Sequence, residues 1–194
     1  MPTSNAQRRR NLAERTRREV EALAARGVRM AGNGFSPIVL VKGELNAEEA
    51  AGADLLSGAD GPALRAALAA LGYAPEDFCA LSAVRGDADG ASKVSGPGDP
   101  LDPDLFREAI DVLDPEAVIL LDEVATGVMR EAFVDALAAI EDFDTAMLMP
   151  GLVAPVLGRR VLALDGFEAS LSDPAQKQRM WAYIKQLPPA GAPY

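Results

Sequence analysis

Pro37-Ile38-Val39-Leu40-Val41-Lys42-Gly43-Glu44 is the stretch that decides the fold. Four consecutive aliphatic residues after a proline fit a short strand buried on both faces, the signature of a parallel sheet rather than of a half-solvated one. Gly43 ends the strand, and a loop runs through Leu45 and Asn46 to Ser57. Asp60 suits an N-cap and Pro62 the first turn of a helix that reaches about Leu71, where Gly72 closes it. In open α/β sheets ligands sit beyond the carboxyl ends of the strands, so the Gly43 to Ser57 loop is the first place to look for function.

Outward from this unit the pattern repeats. Towards the N-terminus, residues 7–26 read as a helix with Leu12, Val20, Leu23 and Ala24 inward, ended by Gly27; Ala31 to Ser36 reads as a connector. Towards the C-terminus, residues 78–84 form a second strand, and Gly86 to Asp104 is a loop rich in glycine and proline. Asp102 and Pro103 start a helix in which Leu105, Phe106, Ala109, Ile110 and Leu113 repeat at helical spacing. Asp114-Pro115 breaks it, Ala117 to Leu121 is a third strand, and Val124 to about Ile140 is helical. Residues 146–157 are apolar and read as irregular or extended; from Met147 to Val156 they form either core or an exposed surface for a partner. A last strand covers Val161 to Leu164, a loop covers Asp165 to Asp173, and a helix runs from Pro174 to Leu187 with Trp181 and Ile184 inward. Alternating strands and helices give a three-layer α/β/α sandwich around a central, mostly parallel four-stranded sheet. The expected organisation is a basic arm and helix over 1–34, the α/β/α domain over 35–187 and a proline-rich tail over 188–194.

Composition narrows the chemistry. The 194 residues include one cysteine, Cys79, and no histidine. That excludes an internal disulfide and a four-cysteine metal or iron–sulfur site, and removes histidine as general base, nucleophile partner or zinc ligand. Neither cofactor nor metal is expected. No apolar run approaches a membrane span and no signal core is visible, so a cytoplasmic protein is expected. Residues 1–30 carry 8 arginines against 3 glutamates, whereas the remainder carries 11 basic and 26 acidic residues. The acidic body disfavours nucleic acid. Only the arm, through Arg8, Arg9, Arg10, Arg15, Arg17 and Arg18, is suited to DNA or an acidic partner; otherwise it is a solvated helix face.

Four segments, in order, resemble the uracil-DNA glycosylase superfamily. Gly43-Glu44 with Glu48-Glu49, then Leu55-Leu56-Ser57-Gly58-Ala59-Asp60-Gly61, is similar to its first motif, G-E-A-P-G-x-x-E, and its later P-F-x-G-x-x-G. The 78–84 strand with Arg85 comes next. Leu113-Asp114-Pro115 through Ile119-Leu120-Leu121 to Ala125 resembles L-x-P-x-x-I-x-x-L-G-x-x-A. Gly158 through Ser170-Leu171, then Lys177 to Trp181, resembles the last strand, the H-P-S loop and the terminal helix. The resemblance spans roughly residues 35–187.

It implies a pocket at Gly43, Glu44, Leu45, Asn46, Leu56, Ser82, Asp122, Glu168 and Ser170, and this is where the chain departs from the family. The family's proline and glycine are replaced around Asn46-Ala47. The stacking phenylalanine aligns with Leu56, which has no π face, and the base-reading asparagine with Ser82, which lacks the paired donor and acceptor. The glycine after the third strand aligns with Asp122, and the H-P-S histidine with Gly166-Phe167-Glu168. Losing one stabiliser of a leaving anion costs about 10²–10³ in rate, and leaving a substrate edge unread costs specificity of order 10⁴. The expectation is a glycosylase-like protein that no longer excises uracil and works as a binding or structural protein through a protein partner or its own oligomer. Two alternatives stay open: an enzyme of altered chemistry using Glu44, Asp122 and Glu168 as acid–base pair or Mg²⁺ ligands, and a residual DNA-binding repair protein.

Overall fold

A computed structural model describes residues 5–74, 77–86 and 98–191. Among the described residues six strands form one sheet: β1 (Met30–Gly32), β2 (Ile38–Lys42), β3 (Cys79–Ser82), β4 (Ala117–Leu120), β5 (Val153–Val156) and β6 (Arg159–Ala163). Their order across the sheet is β1-β3-β2-β4-β6-β5. The four expected strands are the inner ones, β3, β2, β4 and β6, and all are parallel to their neighbours. The expectation of four strands is corrected to six, because a short strand is added antiparallel at each edge, β1 on β3 and β5 on β6. β1 lies in the supposed connector and is too short to carry a pattern. β5 lies in the stretch read as irregular; Pro155 obscured it there, and proline is tolerated in an edge strand.

Helices cover both faces. α1 (Asn5–Ala25), α4 (Pro103–Leu113), α5 (Glu123–Ala132) and α6 (Val134–Ala138) pack on one face. There Leu23, Phe106, Ile110, Met129 and Phe133 meet Val39, Val41, Leu81, Val118 and Val161. α3 (Asp60–Leu71), the short α8 (Phe167–Ser170) and α9 (Pro174–Ile184) pack on the other, where Leu64, Leu68, Phe167, Met180 and Ile184 meet Ile38, Leu40, Ile119 and Leu162. Alternate residues of β2 therefore feed two cores, which is why Ile38 to Val41 is continuously apolar. Two further short helices, α2 (Ala47–Ala50) and α7 (Phe143–Ala146), sit in loops.

Several local expectations change. The helix expected from Val124 to Ile140 is broken at Phe133, whose buried ring anchors the junction between α5 and α6. α8 forms within the segment read as a loop. Leu12 and Ala24 face solvent, because only one flank of α1 meets α4; Leu23 is the fully buried anchor. Trp181 is half-buried while Met180 takes the inward position. The tail is tied down at its start: Arg160 Nη1 donates to the Pro188 carbonyl and Tyr73 Oη to that of Leu187. Of the long loop, residues 87–97 lie outside the described residues; Val84 and Pro100 form a bridge. Among the described residues no helix is long and apolar enough to cross a membrane.

Candidate functional site

The carboxyl ends of β2 and β4 carry a buried ion cluster that dominates the expected pocket. Lys42, the last residue of β2, is 2% exposed, and its Nζ lies 2.6 Å from Asp60, 2.7 Å from Glu49 and 2.7 Å from Glu168. These acids come from three elements: the end of β2's loop helix α2, the start of α3, and α8. Burial by itself would lower the Lys42 ammonium, but the hydrogen bonds to Asp60, Glu168 and Glu49 outweigh it and hold it above its ordinary value. Burial alone would likewise raise Glu49; the Lys42 ammonium and the Asn46 and Leu56 N–H groups outweigh that and hold its carboxylate low. Lys42 is thus a paired cation and not a neutral amine nucleophile.

The loop above the cluster is folded around it. Asn46 caps α2, accepting from the N–H groups of Glu48 and Glu49, while Glu49 accepts in return from the Asn46 N–H at 2.9 Å. This is a capping box whose glutamate also serves Lys42. The other oxygen of Glu49 accepts from the Leu56 N–H at 2.6 Å, pinning Leu56 in a left-handed conformation, φ +60°. Gly61 must be glycine here, since a β-carbon would lie 2.0 Å from the Leu56 carbonyl. Gly58 sits over the cluster in the same way, within 3.3 Å of Asn46, Glu168 and Asp60 side-chain atoms for a β-carbon placed on it.

The other sequence candidates are held in local structure. Asp122 does not offer a free carboxylate: Oδ1 caps α5 through the Ala125 N–H, and Oδ2 accepts from the Gly43 and Glu44 N–H groups at 2.8 and 3.0 Å. Its role is to tie β4 to the β2 loop. Ser82 is fully buried, donating to the Val84 carbonyl and accepting from the Val84 N–H, so its hydroxyl closes a turn. Ser170 donates to the Phe167 carbonyl. Leu56 is core, and Leu45 is half-buried beside it. Glu44 is exposed. Asp60 is not an N-cap: Ala59 holds that position without a side-chain bond, and Asp60 turns inward to Lys42. Arg10, Arg17 and Arg18 are exposed on α1; the side chains of Arg8 and Arg9 lie outside the described residues.

What remains open is a crevice of about 40 Å³ bordered by Lys42, Glu44, Asp60, Asp122, Phe167 and Glu168. Glu44, Asp122 and Glu168 do border one concavity, as the altered-chemistry alternative requires, but it has room for roughly a few waters and not for a nucleobase. Three carboxylates facing one ammonium also oppose an anionic product. Among the described residues no group of three or more Cys, Asp or Glu is placed to hold a metal ion; the cation in this cluster is Lys42 itself.

Compared with family models and with curated proteins, the chain matches none.

Lys42, Glu49 and Asp60 were absent from the sequence candidates. A signal existed: Lys42 is the one charge in an otherwise aliphatic strand, and a strand buried on both faces gives a cation there no exit to water. The described residues also border larger concavities. One of about 420 Å³ lies beside the β2 loop, and a groove of about 860 Å³ runs between α1 and α4 at the amino ends of β2 and β4. Phe143, Met147, Met149 and Leu152, around α7 and before β5, expose apolar side chains, whereas Leu148, Ala154 and Val156 of the same stretch are core.

Proposed function

We propose that this chain is a binding protein on a uracil-DNA glycosylase-like scaffold and that it does not excise uracil. The observation that carries the reading is the Lys42 cluster. Where the resemblance asks for a base pocket at the carboxyl ends of β2 and β4, four ionic side chains, Leu56 and Phe167 occupy the space. Stacking, edge reading and stabilisation of a uracil anion each need a group the chain lacks there: Leu56 offers no ring face, the Ser82 hydroxyl is spent on its own turn, and Glu168 is an acid where a cation is needed.

A binding role is supported by what the surface offers instead. Phe143, Met147, Met149 and Leu152 are large apolar side chains close in sequence and exposed at the β5 side of the sheet, a composition suited to a protein contact. The exposed arginines of α1 belong to a helix that already pairs Arg15 with Glu19, and Arg26, just after it, is paired with Glu108.

The test is uracil release from single- and double-stranded uracil-containing DNA by the purified protein, read as alkali-induced scission. No release is expected at any enzyme excess; turnover would overturn the reading. Sedimentation of the same preparation across a concentration series reports whether the protein contact is with a second copy.

A further inference from the structure

α3 and α9 meet on one face of the sheet, yet a cleft of about 220 Å³ stays open between them. One wall is Ala63, Ala66 and Ala67 of α3; the facing wall is Trp181 and Ile184 of α9, with Phe167 of α8 beside them. Deeper in this layer Leu64 and Leu68 meet Met180 and Ile184 in a sealed core. At the cleft the α3 side chains are single methyls, which do not fill the space in front of the indole, whereas protein interiors are ordinarily close-packed. Both walls lie in unbroken described stretches, residues 60–74 and 167–187.

The cleft is apolar but for one group. Among the described residues Lys177, one turn before Trp181, is the only charged side chain that lines it. Its ammonium makes no ion pair among them, whereas Arg179 on the same helix is paired with Asp165. One turn beyond the indole, the Lys185 ammonium lies 5.8 Å from the centre of the Trp181 ring. The one tryptophan of the chain is thus half-buried at a recess with an ammonium to either side of it along the helix. Apolar recesses hold water poorly and accept apolar guests.

We infer that this cleft binds a small carboxylate with an apolar body, the carboxylate on Lys177 and the body between Ala67 and Trp181. The unpaired ammonium sets the sign of the ligand's charge, and the apolar walls set the nature of its body. One ammonium matches the single charge of a carboxylate; a phosphomonoester brings a charge of about −1.5 to −2 and three acceptor oxygens that need more donors. The volume holds about seven groups of water or methylene size at ~30 Å³ each, so a body of about seven carbons fits and a long acyl chain does not. The inference goes beyond the binding reading above and does not rest on it: the cleft belongs to α3, α8 and α9, and uracil release would leave it standing.

The experiment is fluorescence titration of the full chain, in which Trp181 is the sole tryptophan, with butanoate, octanoate, dodecanoate, 1-octanol and octylammonium as probes. Octanoate is expected to change the emission saturably. Butanoate should bind about a hundredfold more weakly, at about fourfold per methylene lost, and dodecanoate should gain less than about tenfold over octanoate because its further methylenes lie outside the cleft. Lys177→Gln is expected to weaken octanoate by about threefold or more and to leave octanol within about twofold. Ala66→Phe puts a ring into the cleft and should abolish the binding of both. Both substitutions are at exposed positions, so the fold is expected to stand. No saturable response to millimolar octanoate, octylammonium binding as tightly as octanoate, octanoate no weaker relative to octanol in Lys177→Gln, or undiminished binding in Ala66→Phe would each overturn the proposal. An emission that moves with protein concentration and not with octanoate would give the cleft to a side chain of a second copy and would overturn it as well.

Discussion

Lys42 and Asp60 are 18 positions apart, and Lys42 Nζ lies 2.6 Å from Asp60 Oδ2 with neither side chain in contact with bulk water. The pair joins the end of β2 to the start of α3, so the loop between them is closed at both ends by one ionic bond. Glu49, halfway along, binds the same ammonium.

Removing the cation should therefore be far worse than removing the cluster. Lys42→Met leaves Glu49 and Asp60 buried without their partner and is expected to destabilise the fold by about 3–5 kcal/mol. The triple change Lys42→Met, Glu49→Gln, Asp60→Asn should recover much of that loss. Denaturant unfolding of both variants checks the order; a single variant as stable as the parent would contradict the ionic account.

Stability should fall at both ends of the pH scale. Glu49 is held below its ordinary 4.5, so its contribution is complete above that value and is lost as pH drops through the lower folded one. Lys42 is held above its ordinary 10.5, so its contribution is complete below that value and is lost as pH climbs through the higher folded one. The measurement is the stability difference between the parent and the triple variant across pH. It should be flat between the two ordinary values and narrow outside them.

Asp122 and Glu44 should separate cleanly. Asp122→Ala removes the α5 cap and the acceptor of two loop N–H groups, with an expected loss of about 2 kcal/mol. Glu44→Gln changes an exposed side chain and should stay within about 0.5 kcal/mol. Thermal melts of the two variants decide it.

The Cys79 thiol faces a core in which burial pushes its pKa up to about 11. It is expected to resist a thiol reagent at pH 8 in the folded protein and to react at once in denaturant. Rapid labelling of the native chain would mean that β3 opens far more readily than its buried position implies.

The apolar runs at β2, β3, β4 and β6 made the parallel core legible, because a strand buried on both faces must be aliphatic throughout. The α4 pattern and the Asp102 cap were equally readable, since both are local. The site was not. Asp60 had the position of an N-cap, and Asp122 and Glu44 had the look of a carboxylate pair. Which acid turns inward is decided by a lysine far away in sequence and by which backbone N–H groups need an acceptor. Those are tertiary facts, and the only local hint was a charge at the end of an otherwise aliphatic strand.

The two outer strands bear on how copies of this chain can meet. β1 is three residues long and ends in Gly32 at φ +91°; β5 is four residues long and contains Pro155, which has no N–H to give. Neither rim offers an uninterrupted ladder onto which another strand can zip. A lasting complex must then be made by side chains rather than by extending the sheet, so it should be sensitive to single substitutions at Phe143 or Met149 and indifferent to backbone register.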